Sequence, residues 1–152
     1  MPYQVKWANP ITYTALTSVS ELVSLANDGV ISLGTGTIIP NRTNLYQYIQ
    51  FWVKTKYLTG SASAALNLWF IQTLDGTNYE DGTTGTAPNK LPDVIIPVGA
   101  STSQYSIVWP QTPIIAPPND FKVLLQNKTG YALSGSNSEN MVYYAMFNDT
   151  VV

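Results

Sequence analysis

"LYQYIQFWVKTKY", Leu45 to Tyr57, decides how the rest of the chain is read. Its odd positions carry Leu45, Ile49, Phe51 and Val53, and its even positions carry Tyr46, Tyr48, Gln50, Trp52, Lys54 and Lys56. A repeat of two places successive side chains on opposite faces, so the pattern predicts a β-strand with one buried face. "LTGSAS" follows as a turn of small residues, and "AALNLWFIQTL" then resumes the alternation. Leu66, Leu68 and Phe70 fall on one face, with Asn67, Trp69 and Thr73 on the other. The short turn between the two runs predicts a hairpin.

Further strands are predicted over Asp93 to Val98, Tyr105 to Trp109, Phe121 to Asn127 and Met141 to Phe147. Near the N-terminus, Val19 to Leu25 and Val30 to Leu33 flank "ANDG", a hairpin turn sequence. Ser18 and Glu21 also match a helix capping box over the same residues. The β-branched residues and the Asn-Asp-Gly favour strand. Prolines at 88, 92, 97, 110, 113, 117 and 118 forbid a long helix through the second half.

Short strands with Gly and Pro turns predict an all-β fold, an antiparallel β-sandwich. About eight strands with long Pro-rich connections suit a jelly roll better than an up-and-down barrel. Spacing alone does not separate that from an immunoglobulin-like sandwich. Residues 1–17 are read as an N-terminal arm and residues 18–152 as a single β-sandwich domain.

Composition narrows the function. The chain has 152 residues and a formal net charge of -2, and 11% of residues are charged, against roughly 25% in ordinary soluble proteins. Hydrophobic residues make up 45% and aromatics 12%. So little charge protects a free surface poorly from association, which predicts that some uncharged surface is covered by a partner or sister subunits. The seven basic residues are scattered, so no groove can neutralise a row of phosphates, and nucleic acid is not an expected partner. No apolar run is long enough to span a bilayer, and no secretory signal pattern opens the chain. Asn41, Asn127 and Asn148 begin glycosylation sequons, read here as turn residues.

There is no cysteine and no histidine. Thiolate nucleophiles, the Ser-His-Asp triad and the usual zinc ligands are therefore excluded together. Serines are plentiful but none sits in a nucleophile elbow, and nothing singles out a serine–lysine pair. The loop "LDGTNYEDGTTG" gathers Asp75, Glu80 and Asp81. Two of them could flank a sugar as glycosidase carboxylates, and Asp75, Asn78 and Asp81 could form an irregular calcium site. Asp-Gly at 75–76 and at 81–82 is also ordinary turn chemistry. The reading adopted is a structured loop, with no catalytic residue, no metal and no cofactor.

The more informative feature is aromatic. If Ile49, Phe51, Leu66, Leu68 and Phe70 fill the core, then Tyr46, Tyr48, Trp52 and Trp69 point away from it. Such a cluster marks an interface, a face covered by the chain's own N-terminal arm, or a platform for stacking sugars. The final strand alternates Met141, Tyr143, Ala145 and Phe147 with Val142, Tyr144 and Met146, apolar on both faces. Strands buried on both sides read this way. Tyr144 and Met146 are accordingly expected at a contact with a neighbouring subunit or under the N-terminal arm.

"LYQYIQFWVKT", "ALNLWFIQTLDGTNYEDG" and "PPNDFKVLLQNKTGYALSGSNSENMVYYAMFND" together resemble a family of small tailed-bacteriophage virion proteins. Leu74 to Tyr79 and Phe121 to Gly130 carry the closest match, and the resemblance runs from Leu22 onward. Its motifs are turn and strand signatures, and the segment before Ser18 has no counterpart in the pattern. The resemblance implies a capsid cement, or decoration, protein with a jelly-roll sandwich and no catalytic site. Its implied partner is the assembled major capsid protein, and its implied place is the outer surface of the phage head. Because icosahedral shells offer many threefold positions, a homotrimer is expected there.

Overall fold

The computed structural model of the chain describes residues 5–7, 12–56, 64–99 and 103–151. Among these residues ten strands run in chain order as β1 (Val5–Trp7), β2 (Thr14–Ala15), β3 (Val30–Ser32), β4 (Tyr48–Thr55), β5 (Ala65–Thr73), β6 (Val94–Pro97), β7 (Tyr105–Ile115), β8 (Asp120–Lys128), β9 (Met141–Phe147) and β10 (Asp149–Val151). Two four-stranded antiparallel sheets, ordered β2-β9-β4-β7 and β3-β8-β5-β6, make a sandwich, and β1 pairs with β10 as a separate ribbon. The pairing is nested. β1 meets β10, β2 meets β9, β3 meets β8, β4 meets β7 and β5 meets β6, as if one long hairpin had been wound on itself.

The two long alternating runs are the central strands, one per sheet. Ile49, Phe51 and Val53 of β4 and Leu66, Leu68 and Phe70 of β5 are all buried in one core. They face each other across it, Phe51 stacking on Phe70 with ring centroids 6.1 Å apart and Phe121 of β8 meeting Phe70 edge-on at 5.2 Å. The expected hairpin between them does not form, since β4 pairs with β7 and β9 whereas β5 pairs with β6 and β8. An alternating pattern reports a buried face, and two strands share such a face equally well side by side or across a core. Of the turn expected between them, residues 57–63 lie outside the described residues. Leu45 also departs from the strand. It takes a left-handed conformation (φ 51°) that ends a short helix, Asn41–Asn44, and is 66% exposed.

Residues 19–25 are turns and not a strand, so no hairpin forms around "ANDG". The capping-box bond is made nonetheless: a Glu21 carboxylate oxygen accepts the Ser18 N–H at 3.0 Å, while the other accepts the Thr35 N–H at 3.0 Å. Leu22 is thereby fixed in the core. β3 finds its partner in β8. Its competitor lost because the 18–25 segment spends its backbone bonds on local turns and on residues 133–138, through Ser24, Leu25 and Val19, and not on a ladder with β3.

The strand expected over Tyr105 to Trp109 continues through Pro110 and Pro113 to Ile115. β7 lies at a sheet edge, where a missing N–H costs no ladder bond. The ladder with β4 jumps from Trp109 to Ile114, and the Gln50 side-chain amide donates to the Pro110 carbonyl at 2.8 Å inside the bulge. The sandwich also begins earlier than residue 18. Leu16 is in the core, its N–H donates to the Val142 carbonyl at 2.8 Å, and the Thr17 hydroxyl accepts the Val142 N–H at 3.0 Å. The boundary between arm and domain therefore moves back to β2.

Candidate functional site

The acidic loop is built as a turn. Asp75 accepts the Asn78 and Thr77 N–H groups at 2.7 and 2.8 Å, the Asn78 side-chain amide at 2.6 Å and the Thr73 hydroxyl at 3.1 Å. These donors, the Asn78 N–H first, hold its carboxyl far below the usual carboxylate range. Burial alone would raise Glu80, but the Lys90 ammonium at 2.9 Å and the Gln72 N–H at 3.1 Å outweigh it and lower its pKa. Asp81 accepts the Asn89 N–H at 2.8 Å.

Asp75 and Glu80 do line one depression of about 560 Å³, with Gln72, Asn78, Tyr79 and Asn119. Both are held ionised, however, whereas glycoside cleavage needs one carboxyl kept protonated as the acid. Among the described residues no three His, Cys, Asp or Glu are grouped to hold a metal ion.

Asp75 carries a pH prediction. A folded-state pKa below the unfolded value, near 3.9, gives stability that is present above about pH 4 and lost as pH falls toward the folded value. Asp75→Ala is expected to flatten the loss of urea resistance between neutral and strongly acid pH. Equal slopes for wild type and variant would show that the loop carboxylate contributes nothing.

One serine does meet a lysine through a carboxylate. The Ser134 hydroxyl donates to Glu139, and Glu139 pairs with Lys56 at 2.7 Å. Lys56, then Ser134, lowers the Glu139 pKa, which makes it a poor base, and Ser134 is buried. The group pins the 134–140 turn to the end of β4.

The aromatic residues divide between two outer faces. Tyr48, Gln50, Trp52 and Lys54 of β4 stand opposite Phe147, Ala145, Tyr143 and Met141 of β9 on the outside of the first sheet. Trp52 stacks on Tyr143 with centroids 4.7 Å apart, and Tyr13 meets Trp52 edge-on at 6.2 Å while donating its hydroxyl to Gln50 at 2.8 Å. Tyr48 packs on Phe147 at 5.9 Å and donates to Asp149 at 3.2 Å. The carboxylate of Asp149 raises the Tyr48 pKa, so the phenol stays neutral. Tyr13 lies just before β2, so the chain ahead of the sandwich covers part of this face, while Tyr48, Trp52 and Tyr143 keep partial exposure.

Trp69 is elsewhere. It belongs to the outside of the second sheet, is 3% exposed, and packs with Ile71, Leu124, Tyr79 and Ala87 under the chain's own loop. Tyr144 and Met146 are also relocated, because antiparallel pairing with Phe51 and Ile49 turns both toward the core. The residues of β9 that face outward are the other set, with Tyr143 the one partly exposed. Sequence reasoning missed Tyr143 because both faces of β9 are apolar. Its pairing with Trp52, in register with Tyr144 on Phe51 and Met146 on Ile49, assigns the parity.

Tyr46 flanks a groove beside this face. Asn41, Leu45, Tyr46, Gln47, Tyr48, Ile115, Ala116 and Pro118 line about 460 Å³ with no charged side chain. Leu45 and Ile115 are 66% and 80% exposed on its rim. Buried Asn41 fixes both walls, its amide donating to the carbonyls of Tyr46 at 3.0 Å and Pro117 at 2.6 Å. That use, and the burial of Asn127, explain two of the sequon asparagines as structural residues.

Compared with protein-family models, curated proteins and solved structures, the chain matches none. Among the described residues no helix is long and apolar enough to cross a membrane.

Proposed function

We propose that this chain is a structural virion protein, a capsid cement or decoration protein on the outer surface of a bacteriophage head. In this reading it binds assembled major capsid protein and stabilises the shell, without catalysis or cofactor. One observation carries most of the proposal. On the second sheet's outer face the chain's own loop covers Trp69, Ile71 and Leu124, whereas the first sheet presents Tyr48, Trp52 and Tyr143 beside an uncharged groove rimmed by Leu45, Tyr46 and Ile115. Partly exposed aromatic surface with little charge suits a protein–protein contact. The nested strand order supports a jelly-roll reading, an architecture used by viral capsid domains.

A homotrimer about a threefold axis of the shell belongs to the proposal on grounds of symmetry. β9 adds no separate argument for it, because its inward and outward residues are largely covered within the chain.

Purified particles provide the test. The protein is expected at a copy number comparable to that of capsomers, with density at threefold positions. Absence from particles, or only a few copies, would sink the reading, and density at twofold positions would remove the trimer. Trp52→Ala is expected to weaken retention on particles by about tenfold or more, as for a Trp at the centre of an interface. Unchanged retention of a correctly folded variant would move the contact off this face.

Tyr46 and Tyr48 in the groove favour an alternative, a carbohydrate-binding module or a tail or fibre component for host attachment. A glycan array with no signal above background counts against sugar binding, and a tail location would be seen as low copy number.

A further inference from the structure

Residues 74–93 cross the outside of the second sheet as a strap. Under it lies a small apolar cluster, Trp69, Ile71 and Leu124, separate from the main core. One side chain latches it. Lys90 donates to the Phe70 carbonyl at 3.0 Å and pairs with Glu80 at 2.9 Å and Asp93 at 3.8 Å, while its own carbonyl accepts the Trp69 indole N–H at 3.1 Å. At its far end the strap reaches β3. The Gly85 N–H donates to the Val30 carbonyl at 2.9 Å, and the Thr84 hydroxyl accepts the Ser32 N–H at 3.1 Å. β3 is a sheet edge, and unpaired edges recruit other chains. The strap thus covers an apolar face and caps an open edge at once.

Two features set the closed strap apart from the sandwich. It is held by three buried apolar residues and by polar contacts that are partly exposed, and units of this kind open locally at less free energy than global unfolding. It also leaves the Tyr79 hydroxyl buried without a hydrogen-bond partner, with Lys122 3.8 Å from the ring centre. An unsatisfied buried hydroxyl is a cost that opening relieves.

We propose that residues 74–93 open as a unit while the sandwich stays folded, uncovering Trp69, Ile71, Leu124 and the outer edge of β3. The uncovered surface suits an extended chain, which adds backbone bonds at Val30 and Ser32 and seats apolar side chains beside them. The strap itself is that occupant in the closed state. This device is independent of what binds the opposite sheet.

Native-state hydrogen exchange on the whole protein tests it. The amides of Ser32, Glu80, Gly85 and Asp93, each bonded between the strap and the sandwich, are expected to exchange together, through an opening that the amides shared by β5 and β8 do not experience. Lys90→Met removes the latch and is expected to speed the strap set by about tenfold while leaving the β5–β8 set unchanged. Gly82→Ala provides a second, independent release. Gly82 has φ 109°, and a Cβ there would meet Pro88 at 2.6 Å and Leu124 at 2.8 Å, wedging the strap off the sheet. Exchange of the strap amides only through global unfolding, or equal acceleration of both sets in the variants, would overturn the proposal.

Discussion

Phe51→Ala is expected to cost about 3–5 kcal/mol of folding stability, the range for truncating a buried phenylalanine. Phe51 is fully buried at the middle of β4, with β9 on one side and β7 on the other. Its ring is stacked on Phe70 across the core, and Phe70 in turn meets Phe121. Removing the ring takes away both the transfer free energy and the packing that joins the two sheets. β4 is held by ladders on both sides, so collapse into the cavity is limited. The urea midpoint at neutral pH measures the effect, with an unchanged m-value. A loss below about 1.5 kcal/mol would show that the site relaxes, as no well-packed core position should.

The second large effect is polar. Asn127→Ala is expected to cost about 3 kcal/mol, through four hydrogen bonds lost at about 0.5–1.5 kcal/mol each. The buried Asn127 amide donates to the carbonyls of Leu25 at 2.9 Å, Ala26 at 3.1 Å and Tyr131 at 2.8 Å. Its side-chain oxygen accepts the Thr129 N–H at 3.0 Å. One side chain thus ties the turn before β3 to the turn after β8. Alanine removes the shared partner: the Thr129 N–H loses its acceptor, and the three carbonyls are left with one donor each, the Leu133 N–H, the Gly29 N–H and the Thr129 hydroxyl. Chemical denaturation of the variant reads the loss. A change under about 1 kcal/mol would mean that water replaces the amide, contrary to its burial.

The candidate interface was partly legible in the sequence. Tyr48 and Trp52 face away from the core because the β4 alternation fixes them relative to Ile49, Phe51 and Val53. Tyr46 lies outside the strand, at the groove. Trp69 has the same outward parity in β5, yet it is buried, because the segment that follows β5 folds back over that face. Parity reports which way a side chain points and says nothing of what lies there. The acidic loop was legible as a turn because Asp-Gly chemistry is local. The 18–25 segment was misread because its strand propensity competed with local hydrogen bonds that only a three-dimensional arrangement, through Thr35, reinforces.

The sequence by itself determined the all-β class, the buried faces of β4 and β5, the positions of β6, β8 and β9, and the lack of cysteine and histidine chemistry. These follow from alternation, turn residues and composition, which act within a few residues along the chain. The tertiary structure alone decided that β4 and β5 lie in opposite sheets, that the pairing is nested, and that Tyr143 faces outward while Tyr144 and Met146 turn to the core. It alone also decided that a strap buries Trp69 on one sheet while Trp52 on the other stays partly exposed. Each of these depends on contacts between segments far apart in sequence, where several pairings bury the same apolar faces and the best-packed one prevails.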